Sequence, residues 1–181
     1  MSEMLKEFKK DIEDAKRLMA LASELNKKDA KEDKHNSNAI CRSAYILAFT
    51  AWETFIYSRF RKPWNDSDTG NFIPRDFYSR KIENALGQYA TPKTIRIKEL
   101  SKEFLGFDLT TEWKTTNYDS KECCKKLDDI AAIRGELAHN SISVFKQGQK
   151  AQPVGTKKLK TCIDFLIELA ECSDNLIEQK K

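Results

Sequence analysis

Two imidazoles, His35 and His139, are the only side chains of this 181-residue sequence that titrate near neutral pH without help, so proton transfer near pH 7 has a short list of candidates. His139 closes the segment Arg134-Gly135-Glu136-Leu137-Ala138-His139-Asn140. A guanidinium stabilises developing negative charge and an imidazole moves a proton, which together suit a reaction in which both must happen at once. Five positions along a regular helix leave the two side chains about 140° apart. Convergence therefore needs the reach of the arginine, a helix end at His139, or a symmetry-related copy. Arg134 lies at helical spacing from Ile130, Ala131, Leu137 and Ala138, beside a packing face, where a cation requires an anionic or hydrogen-bonding partner. The plainer use of the pair is an ion pair from Arg134 to a core carboxylate, with His139 assisting the last carbonyls of its helix. Glu53, the only charge between Ala44 and Tyr57, either fills the one exposed stripe of its helix or orients such a site. Asn140 can hydrogen-bond a substrate or cap the helix, and capping is the simpler use. His35, inside a run of charges, reads as solvated.

These residues must be held by helices. Only 6 Gly and 4 Pro punctuate the chain, which disfavours a turn-rich β architecture. The first helix is expected from Ser2 to Asn26, with apolar residues at spacings of three and four from Leu5 to Leu25. The polar run NKKDAKEDKHNSN reads as a solvated connection, with Asn36 or Ser37 capping a second helix from about Asn38 to Phe60. Its centre, AYILAFTAWETFIY, is apolar nearly all round, which marks a central buried helix. Pro63 to Pro74 reads as a loop. Two shorter helices follow, Tyr78 to Tyr89 and Pro92 to Leu105, the second opened by Thr91 as cap. Gly106 to Tyr118 reads as irregular. A helix from Ser120 carries Arg134 and His139, and a last one runs from about Thr156 to Glu178. The expected fold class is all-α, a bundle of about four main helices with a helical and loop insertion after the second, forming a single domain over residues 1–181.

Composition excludes several functions. The longest uncharged apolar stretch, Ser43 to Trp52, falls far below the roughly 20 residues of a membrane span, and the charged first residues lack a signal peptide's apolar core, so a cytoplasmic location is expected. Five cysteines, Cys41, Cys123, Cys124, Cys162 and Cys172, contain no C-x-x-C pair and read as small buried hydrophobes. No nucleotide-loop, zinc-protease or serine-hydrolase motif occurs, and Asp128-Asp129 point about 100° apart on a helix. No cofactor and no metal site is expected. The net charge of +4 permits an acidic partner without requiring one. Between Tyr57 and Lys98, nine basic residues outnumber four acids and are interleaved with aromatics, a mix that suits single-stranded RNA. Packing is the commoner use of such rings.

The Arg-x4-His segment, late in an all-helical chain and followed by one more amphipathic helix, resembles the HEPN superfamily. The AYILAFTAWETFI helix paired with DIAAIRGELAHN looks most like its prokaryotic members in defence and toxin systems. The resemblance implies a metal-independent ribonuclease site at a dimer interface, with Arg134 and His139 as the catalytic pair and Glu53 and Asn140 as orienting or RNA-binding residues. RNA supplies its own nucleophile, the 2′-hydroxyl, so cleavage needs proton transfer and stabilisation of charge on phosphorus. A two-fold dimer would supply acid and base from a residue that occurs once per chain. The implied partners are RNA, a second copy of the chain, and an antitoxin or defence-system protein. Gly135 departs from the family pattern, in which the residue after the arginine is often polar. The alternative reading is a non-catalytic HEPN-like module that binds nucleotide, RNA or a protein.

Overall fold

The computed structural model describes residues 1–28, 30–61, 75–87, 91–139 and 154–180, without the side chains of residues 75–79, 86 and 139. The described elements are helices α1 (Glu3–Asn26), α2 (Lys31–Arg61), α3 (Arg75–Gly87), α4 (Thr94–Leu105), α5 (Ser120–His139) and α6 (Thr156–Gln179), with a 3-10 turn at Leu109–Glu112. No strand occurs among the described residues. The architecture is the all-α bundle that the hydrophobic spacing predicts, with α1, α2, α5 and α6 long and the shorter α3 and α4 between α2 and α5. No described helix is long and apolar enough to cross a membrane.

Helix α2 packs against α1, α6, α5, α3 and α4. Its middle buries Tyr45, Phe49, Trp52, Phe55, Ile56 and Phe60, which is why the sequence there is apolar on almost every side. Trp52 meets Phe55 and the edge of Trp113, and Phe8 of α1 packs on Phe55. The segment 106–118 is irregular around its 3-10 turn. Even so, it plugs the core with Leu109 and Trp113, and the Trp113 indole N–H donates to Ser173 Oγ at 3.0 Å.

Three expected boundaries are corrected. Helix α2 starts at Lys31 instead of about Asn38, so KEDKHNSN is helical and His35 lies on an exposed helical turn, outside any linker. Lys, Glu and Ala sustain helix without burial, and Glu32 and Asp33 complement the positive N-terminal end. Ser37 caps nothing: it is buried, and its hydroxyl donates to the Ala22 carbonyl at 2.8 Å, tying the extension to α1. Helix α4 begins at Thr94 with Lys93 as N-cap, not with Thr91 as cap and Pro92 in its first turn. Asp128 of α5 does the capping from a distance, accepting from the Thr94 amide at 2.8 Å. Helix α3 spans Arg75–Gly87 where Tyr78 to Tyr89 was expected. The loop expected over Pro63 to Pro74 lies outside the described residues.

The N-terminus is closed onto the bundle by charge. Arg59 and Asp174 are 1% and 0% exposed, with Nε and Oδ1 3.4 Å apart. Arg59 Nη2 also donates to Glu178 at 2.7 Å. Asp174 accepts from the Ser2 amide at 2.9 Å and from the Ser2 hydroxyl, while Ser2 Oγ caps α1 through the Leu5 amide. Removing Asp174 leaves the buried Arg59 with only the partly exposed Glu178 as counter-charge, at a cost near the lower end of the range of about 3–5 kcal/mol typical of breaking a buried ion pair. The Asp174→Ala variant is accordingly expected to melt about 6 °C or more below wild type, at roughly 2–4 °C per kcal/mol for a chain of this size. A melting temperature within a degree of wild type would show that the cluster does not hold the bundle.

Candidate functional site

Helices α2 and α5 bring two of the four candidate residues together. Glu53 lies one turn from the buried Phe49 on α2. Arg134 lies one turn beyond Ile130 on α5, whose Cys123, Leu127, Ile130 and Ala131 are buried. The closest approach is 3.9 Å, from Arg134 Nη2 to Glu53 Oε2, with the side chains 21% and 18% exposed. That distance is electrostatic contact and too long for a good hydrogen bond. The Arg134 Nε is buried and has no hydrogen-bond partner among the described residues. The pair is thus a half-buried cation beside a carboxylate that occupies only part of its donor capacity.

Glu53 therefore does not simply fill a solvated stripe. Burial pushes its carboxyl above the ordinary value, and the Arg134 guanidinium pulls it part of the way back. One turn further along α2, the Tyr57 hydroxyl is buried without a hydrogen-bond partner. Burial, with Glu53 adding to it and Arg96 and Arg61 opposing, pushes that phenol up to about 12. Sequence reading missed Tyr57 as a site residue, although its i+4 spacing from Glu53 was a usable signal.

His139 is the last residue of α5, about 7.5 Å along the helix axis from Arg134 by helical rise. Its side chain, and all of Asn140, lie outside the described residues. Gly135 stands inside the helix, where glycine costs about 1 kcal/mol relative to alanine. A Cβ there would meet nothing within 4 Å, so packing does not demand the glycine.

The described part of the basic stretch between Tyr57 and Lys98 is largely consumed internally. Arg59 belongs to the buried cluster with Asp174. Arg61 makes two bonds to Glu83 at 2.7 and 3.1 Å, Lys81 pairs with Glu103, and Lys98 with Asp108. Arg96 Nη2 donates to the Ala85 carbonyl at 2.6 Å. Phe60 is core. These contacts brace α3 and α4 on α2. Lys62, Trp64, Phe72 and Tyr89 lie outside the described residues. Asp128 is part-buried and accepts the Thr94 amide. Among the described residues, no group of three His, Cys, Asp or Glu could hold a metal ion.

The described helices, with the Arg-x4-His segment on α5, are consistent with the HEPN resemblance. A family model described as RiboL-PSP-HEPN matches residues 6–179, and the chain belongs to that family. No curated protein and no solved structure gives a significant match.

The raised Glu53 carboxyl has a pH signature. An acid whose folded-state value is raised binds more protons folded than unfolded, so it lowers stability as pH climbs from the ordinary glutamate range through the raised value. Glutamine carries no such charge. Relative to wild type, Glu53→Gln is expected to melt higher at about pH 7 than at about pH 4, the sign following from this linkage. A relative gain confined to acidic pH would contradict the assignment.

Proposed function

We propose that the chain is a metal-independent endoribonuclease of a toxin–antitoxin or antiviral defence system, cleaving single-stranded RNA at a site built by two copies of the chain. The observation that carries this reading is the state of Arg134: half-buried, with its Nη2 3.9 Å from the Glu53 carboxylate, beyond good hydrogen-bond distance. A cation fixed in this way has donors left for an incoming phosphoryl group. Membership of a HEPN family supports a ribonuclease or nucleotide-related module.

In the proposed reaction the 2′-hydroxyl attacks the adjacent phosphorus and gives its proton to one imidazole, while the departing 5′-oxygen receives a proton from another. The bond formed is O2′–P and the bond broken is P–O5′, leaving a 2′,3′-cyclic phosphate and a 5′-hydroxyl. His139 from each copy in a two-fold dimer supplies base and acid, and Arg134 stabilises the charge that builds on the equatorial oxygens. Glu53 sets the direction of the guanidinium without neutralising it, and Asn140, which follows His139 in the sequence, bonds substrate. An antitoxin or another defence-system protein would hold the activity in check.

Wild-type protein in EDTA is expected to cut single-stranded RNA, with His139→Ala lowering the rate at least a hundredfold, within the usual contribution of a proton-transfer group of about 10²–10⁴. His35→Ala should keep full activity, because eighteen residues of α2 place His35 about 27 Å along the helix from Glu53. Cleavage that EDTA abolishes and magnesium restores would overturn the mechanism. An inactive wild type that still binds RNA would favour the non-catalytic module.

A further inference from the structure

A cavity of about 550 Å³ lies where α2, α5 and the start of α6 meet, lined among others by Tyr45, Ile130, Ile133, Cys162, Lys126 and Lys157. Its volume is in the range of small-ligand pockets, which commonly combine an apolar interior with a few polar groups at defined places. Tyr45, Ile130 and Cys162 form its buried back wall, and the half-exposed Ile133 presents apolar surface to the opening. Lys126 of α5 and Lys157 of α6 line the cavity, with Asp129 as the acid among its lining residues. The α6 start adds no acidic residue and no side-chain cap. An apolar surface with an excess of positive charge at its edge is complementary to a flat base that carries a phosphate.

The cavity is close to Arg134. Ile130, in its lining, is one turn before Arg134 and about 40° from it around α5. Tyr45 is eight residues before Glu53, about 12 Å along α2. A strand whose scissile phosphate rests against Arg134 reaches the cavity within a nucleotide or two. We infer that the cavity between α2, α5 and α6 is a subsite for a flanking nucleotide of single-stranded RNA, with the base over the apolar surface and its phosphate held by Lys126 and Lys157. This rests on the ribonuclease reading for the identity of the ligand, and it assigns to the cavity affinity and choice of sequence, leaving the chemical step to Arg134 and His139.

The test uses the full chain and a fluorescently labelled single-stranded oligoribonucleotide of about a dozen nucleotides, with anisotropy read at several salt concentrations and cleavage read separately. The Lys126→Ala/Lys157→Ala variant is expected to bind about tenfold more weakly, with a salt slope smaller by roughly one to two charges. A control that removes the same charge from α1, Lys6→Ala/Lys16→Ala, should change affinity by less than about twofold, since those exposed lysines pair with Glu3 and Glu13 far from the cavity. Thr161 is an exposed lining residue whose hydroxyl donates only to the Lys157 carbonyl. Thr161→Phe fills the cavity without touching charge, and it should weaken binding while melting as wild type does. Cleavage at saturating RNA should survive both cavity changes, because neither touches Arg134 or His139. Equal affinity of wild type and both cavity variants, an equal loss in the α1 control, or no RNA binding by wild type would overturn the subsite. Weakened binding in the cavity variants with no cleavage by any protein would uphold the subsite and count against the nuclease.

Discussion

A buried arginine on the central helix sets the terms for the rest of this fold. Arg59 cannot be left unmatched inside the bundle. Its neutralisation by Asp174 and Glu178 fixes the rotation and axial position of α2 against α6. The same Asp174 carboxylate takes the amide and hydroxyl of Ser2, so the start of α1 is bound to the identical point. Hydrophobic burial alone would tolerate some sliding of such smooth apolar helices. The charge cluster removes that freedom and gives every other side chain of α2 a defined address, including Glu53, six residues before Arg59.

The address of Arg134 is set more indirectly. Helix α5 is held by its buried stripe from Cys123 to Ala131 and by the Asp128 and Cys124 bonds that tie it to the first residue of α4. Helix α4 is in turn braced on α3 through Arg96 and Ala85. Two helices located by independent means thus bring Arg134 and Glu53 within 3.9 Å without locking them together. This differs from the Arg59 cluster, where almost complete burial and a 2.7 Å bond to Glu178 close the guanidinium off from solvent. Arg134 is 21% exposed and makes only the longer contact, so its outer nitrogens remain open to an anion. Tyr57, a buried hydroxyl without a partner beside the same carboxylate, adds a second donor of unspent capacity. Such orphan groups cost folding free energy unless something else satisfies them.

The long helices were legible from periodicity, because α1, α5 and α6 each bury one stripe and the middle of α2 buries nearly all sides. The first turns of α2 were not, since Lys31 to Ser37 carry few apolar residues and the polar run reads equally well as linker. Their helicity depends on α1 lying alongside, a tertiary fact expressed at Ser37 and Ala22. The cap of α4 was unreadable for a similar reason: its acceptor is Asp128, 34 residues away. Arg134 and Glu53 could be named from sequence by their types and isolation, and their approach could not, because a distance between two helices has no local signature. Arg59 shows the opposite failure. It looked like one more cation in a basic stretch, and only the packing of α6 reveals that it is buried.

The central claim is that Glu53 positions Arg134 without consuming it, and a double-mutant cycle in denaturant measures this directly. Stability would be determined for wild type, Arg134→Ala, Glu53→Ala and the double variant near pH 7. A loose pair of this kind should couple by about 1 kcal/mol or less. A coupling of about 3 kcal/mol or more would contradict the account, since it would mark Arg134 as a committed structural ion pair of the kind that Arg59 makes.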